Sequence, residues 1–460
     1  MASRNIPFDD IIMGFIEKKE EDKRTKQELE IRFGTMRDSP PITRTNYDNV
    51  VKRIISSGFK LKRTEYMLRV IPEFRDKSGA IRLSNVRAEI NGMPDIKEYC
   101  NTDTYSKINH TITQKLQTKG GNGKTYSIDN PDYNFRMSLA GETIINKGER
   151  FYNSVTETWN DVKKIFRYIQ RYTFVSDDMP FIQIDLSMVK ESTRKGGNMV
   201  HTNTIKESNV FNNPVKYEIE LEFINDAIGR GTPFNSLPVI IPIVRRCINL
   251  VLSGVQGTNY PISIYEQRYV ADKYKQLIGS RNKSPLSTSE FIGPSSMTLQ
   301  MMNISEQTSD TIAPNIRSDY TVTDKADGTR KLLYVSDEGK IYMIDMNMNV
   351  QFTGTETKNS SYYETILDGE HIPNDKDGKF INMYAAFDVY FVNGDNVRSQ
   401  PFVSIEDGTM ENGKGRHEIL KDVRTKLNIE PINKKLKASP LNVTIKEFLV
   451  GTPAFDIFRC

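Results

Sequence analysis

Residues 28–34, ELEIRFG, and residues 217–223, YEIELEF, decide how the first half of this chain folds. A β-strand turns successive side chains to opposite faces. Glu28, Glu30 and Arg32 therefore share one face, and Leu29, Ile31 and Phe33 the other. In the second stretch Glu218, Glu220 and Glu222 stand opposite Ile219, Leu221 and Phe223. Either strand alone reads as the solvated face of an antiparallel sheet, where such alternation is ordinary. The two together favour another arrangement, in which the apolar faces pack outward and five carboxylates converge inside. Buried carboxylates without partners are very costly, so that interior needs cations. A hard divalent ion with oxygen ligands meets the need.

Working outward, residues 26–225 are mainly short alternating segments separated by turn residues, the pattern of an antiparallel sheet or barrel. KLKRTEYMLRVI (60–71), NFRMSLAGET (134–143) and FIQIDLSMVKE (181–191) are clear cases. Lys60, Lys62, Arg69, Arg87, Lys115, Arg136, Arg171 and Lys190 lie where alternation could aim them inward. Glutamates on one wall and basic groups on the others would suit a polyphosphate, with a metal polarising the γ-phosphate, a glutamate orienting water and the bases stabilising developing charge. Helical spacing of Val155, Trp159, Val162 and Phe166 predicts one interrupting helix over 153–169. A short amphipathic helix with Ile11, Ile12, Phe15 and Ile16 on one side is expected at the start, and 193–214 reads as a flexible excursion. KGGNGKT (119–125) resembles a phosphate-binding Walker loop, but Thr118 stands where the first glycine is required, so a hairpin tip is the better reading.

The bulk numbers bound the rest. At 460 residues the chain suggests two or three domains. Its 37% hydrophobic and 10% aromatic content argues against wholesale disorder. A net charge of +4 from 63 basic and 59 acidic residues excludes a general polycation and leaves room for local basic tunnels. Cys100, Cys247 and Cys460 form no disulfide framework, and His110, His201, His371 and His417 join no cysteine at zinc spacing. A soluble protein of a reducing, intracellular compartment is expected. The most apolar run, LPVIIPIV (237–244), ends at Arg245-Arg246 and is expected to be too short for a bilayer. No signal-peptide order opens the chain.

Two helical stretches, 238–254 and 263–279, precede a Ser-, Asn- and Pro-rich segment over 279–318, and strands resume near 319. There KADGTR (325–330) sets a lysine before Asp-Gly. Lys325 could attack an α-phosphate if it were held rigidly, with Gly328 permitting a turn and Arg330 reaching back to a ribose hydroxyl or phosphate. An ordinary hairpin turn fits those six residues equally well. ILDGEHI (366–372), YAAFDVYFVNG (384–394) and GDNVRSQPF (394–402) follow in order, and Phe387 reads either as a base-stacking or as a plain core aromatic.

ELEIRFG and YEIELEF resemble the metal-binding strands of the triphosphate tunnel metalloenzymes, in particular the RNA 5′-triphosphatases of fungal and large DNA-virus capping systems. The resemblance implies Mg²⁺ or Mn²⁺ on Glu28, Glu30, Glu218, Glu220 and Glu222, with catalytic work for Glu28, Glu30, Glu220 and Glu222. It extends to Arg136 in NFRMSL, Arg171 in IQRYTF, and Asp185 and Ser187 in IDLS. KADGTR, ILDGEHI and YAAFDVYF are similar to motifs I, III and IIIa of the covalent nucleotidyltransferases. That implies a lysyl–nucleotide phosphoamide on Lys325, Asp327, Arg330 and Glu370 about the nucleotide or its metal, and Phe387 on the purine. Together these features are those of the mRNA-capping enzymes of nucleocytoplasmic large DNA viruses.

The implied fold class is α+β: an antiparallel triphosphatase tunnel over 1–255, a helical connector and docking segment over 256–318, and a guanylyltransferase domain over 319–460. The last is expected to be incomplete, because nothing resembling motifs IV–VI follows residue 400. The implied substrates are 5′-triphosphate RNA and GTP, with a methyltransferase domain or subunit as partner, no membrane, and action in the host cytoplasm or virion. Two alternatives are an ATP- or NAD-dependent nucleic-acid ligase and a non-catalytic RNA-binding scaffold subunit.

Overall fold

The computed structural model describes residues 8–21, 25–37, 39–105, 108–119, 125–282, 287–306, 314–316, 320–403, 414–433 and 441–450. The chain divides into two compact units, Met1–Gly257 and Thr258–Cys460.

Eight strands build the first unit: β1 (Lys26–Phe33), β2 (Lys60–Arg75), β3 (Val86–Asn91), β4 (His110–Gln117), β5 (Phe135–Ile145), β6 (Lys164–Val175), β7 (Ile182–Glu191) and β8 (Lys216–Phe223). They pair antiparallel in the order β1-β8-β7-β6-β2-β3-β4-β5, and β5 pairs back onto β1, closing a barrel. In β1, Glu30 faces Glu222 and Arg32 faces Glu220 across the β8 pairing. The expected polarity holds: Leu29, Ile31, Ile219 and Leu221 are buried outside the barrel wall, and the glutamates point in.

An apolar outer wall must be covered. Helices α1 (Phe8–Glu21), α2 (Arg44–Ser56) and α5 (Leu237–Gln256) bury it together with Ile11, Phe15, Val50, Ile54, Val244 and Val251. Each fully buried side chain of this size contributes about 1.5–3 kcal/mol. The side chain of Thr43 caps α2 in a reciprocal box with Asn46. The two long helices touch at Gly254, where a Cβ would lie 2.7 Å from the backbone of Val50. By length and composition α5 could cross a bilayer, contrary to the expectation from its eight-residue apolar run. Within this unit its apolar side packs on the barrel. A second outer core gathers Leu68, Val70, Trp159 and Phe166 with Ile96 and Tyr99 of α3 (Met93–Thr102).

Two local expectations are corrected. The helix predicted over 153–169 stops early: α4 spans Arg150–Glu157, and Phe166 lies in β6. Pairing of 164–175 with β2 on one edge and β7 on the other outweighs four residues at helical spacing. The excursion 193–214 is built rather than loose. It holds a small hairpin, Arg194–Lys195 against Asn198–Met199, and one helical turn, Ile205–Ser208, with Ile205 and Val210 buried. Lys119 bridges to Thr125 as a hairpin would, while 120–124 lie outside the described residues.

In the second unit β9 (Thr329–Val335), β10 (Lys340–Asp345), β11 (Val350–Glu356), β12 (Thr365–Asn374) and β13 (Phe380–Val392) form an antiparallel sheet in the order β13-β12-β9-β10-β11. Asn442–Ile445 adds to β13 in parallel. One face carries α6 (Ile264–Ile278), whose Val270 and Tyr274 pack on Leu332 and Tyr334. The other carries α7 (Arg416–Lys426), whose Leu420 and Val423 pack with Leu333 and Leu367. The segment read as a connector thus supplies a core helix to this unit.

Replacing Gly254 by valine is expected to lower stability by about 2 kcal/mol or more, because the added side chain meets the Val50 backbone of α2 as well as its Cγ2 methyl. Thermal unfolding followed by circular dichroism measures it. An unchanged midpoint would mean the helices do not approach as described.

Candidate active site

The barrel interior encloses a cavity of about 330 Å³. Four carboxylates (Glu28, Glu30, Glu220, Glu222) and seven cations (Arg32, Arg69, Arg87, Lys115, Arg136, Arg167, Arg171) line it. The carboxylates come from the adjacent strands β1 and β8 and make an acidic wall. Arg69, Arg87, Arg167 and Arg171 come from β2, β3 and β6 on the side away from it.

Each carboxylate is met by a cation of the chain. The Lys115 ammonium lies 2.7 Å from Glu28 and 3.5 Å from Glu30. Arg32 lies 2.7 Å and Arg171 3.1 Å from Glu220. Burial would raise the Glu220 carboxyl, but those two guanidinium groups hold it down at about 2. Lys26 approaches Glu222 at 3.3 Å, and Gln183 donates to it at 2.9 Å. Asp185 and Ser187 fix Arg171, the first at 3.4 Å and the second by accepting its Nε–H at 3.2 Å.

The carboxylates nevertheless crowd one another. Burial raises Glu222, and the neighbouring charges of Asp185 and Glu28 add to the rise against Lys26. Glu142 is raised to about 7 by burial and by its hydrogen bond to Glu28. Glu28 is held below the ordinary range: burial opposes this, but the Glu142 hydrogen bond and Lys115 outweigh it. On the opposite wall burial lowers Arg69; Glu89 resists, and Arg87, Arg171 and Arg167 add to the fall. Arginine keeps its proton in proteins, and Arg69 and Arg87 are paired with Glu89 at 2.7 and 2.9 Å and Arg167 with Glu218 at 2.6 Å. The lining itself carries seven cations against four carboxylates, an excess of positive charge.

Glu218 does not join the other four ligand candidates. It is turned to Arg167 at 2.6 Å and is absent from the cavity lining. Among the described residues no three carboxylates or histidines are already gathered as an ion site. The donor chemistry still fits a hard divalent ion: Glu28, Glu30, Glu220 and Glu222 share one cavity, and Glu222 is crowded by like charge.

Three basic candidates point elsewhere. Lys60 is 80% exposed beside Asp177, and Lys62 is exposed. Lys62 stands seven residues from Arg69, so alternation along β2 already sets it on the other face. Lys190 donates to the Phe211 carbonyl outside the barrel. Arg136 lines the cavity but is half-exposed and bound to Asp129. Arg167, Glu89 and Glu142 escaped the sequence reading. Arg167 stands four residues before Arg171 on one strand, a same-face spacing that could have found it.

In the second unit Lys325 and Asp327 are exposed in the irregular stretch before β9, not on a strand. Gly328 serves close approach rather than a turn: its Cβ would lie 2.8 Å from Ile372 and 3.0 Å from the His371 carbonyl. Arg330 does not extend freely. It donates from Nε and Nη2 to Asp368 at 3.1 and 2.5 Å and from Nη1 to the Pro294 carbonyl at 2.5 Å. Its guanidinium stands 5.3 Å from the Phe291 ring and 5.6 Å from the Phe387 ring. Asp368 is buried; burial raises it, against Arg330 and the Tyr390 hydroxyl, which donates at 2.6 Å. Arg330 and Glu370 are partners across β9 and β12. One Glu370 carboxylate oxygen is buried without a hydrogen-bond partner, as expected of a group awaiting a ligand. The structure thus gathers Arg330, Glu370 and Phe387, and adds Asp368, Tyr390 and Phe291.

Residues 256–455 match the protein-family model described as mRNA capping enzyme, catalytic domain. Over 278 residues the chain is 26% identical to a probable mRNA-capping enzyme of Acanthamoeba polyphaga mimivirus, an alignment covering 60% of this chain and 20% of that protein. The chain therefore spans about a fifth of the length of that curated relative. Two solved structures are similar. The RNA triphosphatase domain of a trifunctional mimivirus capping enzyme has 14% identity and a TM-score of 0.35, over 55% of this chain and 99% of that one. An RNA triphosphatase of S. pombe has 13% identity and a TM-score of 0.27, over 56% and 97%.

The Glu142 carboxyl, raised above its unfolded value near 4.5 to about 7, contributes stability that is fully present below pH 4.5 and is lost as pH rises through 7. Glu142→Gln is therefore expected to gain stability over wild type as pH rises from 5 to 8, by about 1–3 kcal/mol at the upper end. Paired melting curves across that range test this. A difference independent of pH would mean Glu142 does not hold the proton.

Proposed function

We propose that this chain acts in mRNA 5′ capping: it removes the γ-phosphate from 5′-triphosphate RNA, then transfers GMP from GTP to the diphosphate end. The observation that carries the reading is the barrel cavity lined by seven cations and by four carboxylates gathered on β1 and β8. A polyphosphate meets the excess of cations, and a divalent ion the clustered carboxylates. The capping-enzyme catalytic match over 256–455 supports the second step.

In the first step Glu28, Glu30, Glu220 and Glu222 would hold Mg²⁺ or Mn²⁺. When bound, the ion offsets negative charge on the phosphate oxygens. Arg69, Arg87, Arg167 and Arg171 hold the polyphosphate and meet the charge that grows on the leaving diphosphate. Water adds to the γ-phosphorus, the bond to the bridging β,γ-oxygen breaks, and a carboxylate takes the water proton. Inorganic phosphate and diphosphate-ended RNA result.

In the second step the unprotonated Nζ of Lys325 attacks the α-phosphorus of GTP, and pyrophosphate leaves. Glu370 offers its unpartnered oxygen to the nucleotide, and Phe387 offers a ring face to the guanine. A β-phosphate oxygen of the RNA then displaces the lysine and forms the cap linkage. A methyltransferase domain or subunit would act next on the capped end. Action in the host cytoplasm or virion is part of the same proposal, supported by the mimivirus source of the curated relative.

The double variant Glu28→Ala/Glu30→Ala is expected to lose γ-phosphate release by at least about a hundredfold. Release from triphosphate RNA in Mg²⁺ or Mn²⁺ is the measurement, and equal rates would sink the first step. GTP labelled at its α-phosphate should leave label on wild type and none on Lys325→Ala. Label on the variant would remove Lys325 from the nucleophile's role.

A further inference from the structure

A second cavity, of about 370 Å³, opens beside the tunnel where β1 ends. It shares Arg32, Thr35 and Glu220 with the tunnel, so the two spaces meet across the Arg32–Glu220 ion pair. The cause is local. After Phe33, Gly34 takes a left-handed conformation (φ 72°) and turns the chain away over Ile42. The β1–β8 pairing stops at Phe33 and Ile219, while β8 begins three residues earlier, at Lys216. Lys216, Tyr217 and Glu218 pair with β7 on one edge and have no strand on the other. A slot results, walled by Pro41, Ile42 and Val215 and edged by unpaired backbone.

We infer that this slot seats the nucleoside carried by a polyphosphate held in the tunnel. The inference rests on the polyphosphate reading of the tunnel and deepens it. Three features carry it. The slot adjoins the tunnel at the Arg32–Glu220 pair, away from Glu28 and Glu142, so a chain of phosphates lying on the arginines would deliver its sugar there. Its size is that of a small-ligand pocket. Its lining suits a base, with apolar side chains against a flat face and strand-edge N–H and C=O groups for the polar rim. The nucleoside could belong to an RNA 5′ end or to a free nucleoside triphosphate, since both present the same chemistry.

Val215 and Pro41 are exposed and lie outside the tunnel lining, so tryptophan at either fills the slot without entering the charged site. Calorimetric titrations in Mg²⁺ would compare wild type, Val215→Trp and Pro41→Trp with inorganic tripolyphosphate, GTP and a 5′-triphosphorylated dinucleotide. Melting curves check the fold of each variant. Tripolyphosphate affinity is expected to stay within about twofold while that for the dinucleotide falls about tenfold. A parallel fall for GTP assigns the slot to any nucleoside triphosphate, and a fall for the dinucleotide alone assigns it to RNA. Uptake of GTP by the second unit is common to all three proteins and cancels. Unchanged dinucleotide affinity, or equal weakening of all three ligands, would overturn the slot assignment and leave the tunnel reading standing. Failure of wild type to bind tripolyphosphate would instead remove the tunnel reading itself.

Discussion

Closing a sheet into a barrel removes its edges, and every strand must then commit one face to the interior. Here that face is charged, so the fold depends on the match between carboxylates on β1 and β8 and guanidinium groups on β2, β3 and β6. Ions taken out of water are tolerated only with good partners. The pairs Arg171–Glu220 and Arg167–Glu218 supply them, at 3.1 and 2.6 Å. The unusual polarity also explains the helices. An apolar outer wall has to be roofed, and α1, α2 and α5 do so.

Imperfect matching is what makes the interior chemically useful. Were every charge paired, a ligand would have to break ion pairs without return. Glu222, crowded by Asp185 and Glu28, is a place where an arriving cation relieves the site instead of disturbing it. The second unit uses a different device. Arg330 is locked by Asp368 and flanked by two phenyl rings, so its charge is positioned before any nucleotide arrives. Glu370, its neighbour across the strands, keeps an oxygen in reserve.

Much of this was legible in the residues. β1 and β8 alternate so cleanly that both their faces and their burial could be read, as could the amphipathic helix at Ile11, Ile12, Phe15 and Ile16. What escaped depends on register. Lys60 and Lys62 stand in the exposed opening of β2, and their choice of face waits on knowing that Arg69 points inward. Glu142 gains its role only because β5 brings it beside Glu28, more than a hundred residues away in the chain. Glu218 alternates with Glu220 yet is drawn to Arg167, a competition between neighbouring strands that spacing cannot express. KADGTR was recognisable as a motif, but not that Lys325 precedes its strand rather than lying on it, nor that Gly328 is required by the contact with Ile372.

β1 is hydrogen-bonded not to its successor but to β5 and to β8, the last barrel strand made. Because β8 seals the barrel against β1, the ends of the wall are joined across roughly two hundred residues of chain, a separation that slows folding. During synthesis β1 leaves the ribosome long before β8 exists to meet it. Until then its glutamates have no opposing Arg171, and its apolar side lacks α5, made later still. The nascent half-barrel is therefore an open sheet with exposed edges, vulnerable to association with other chains. The cavity is complete only once β8, the final barrel strand, is in place.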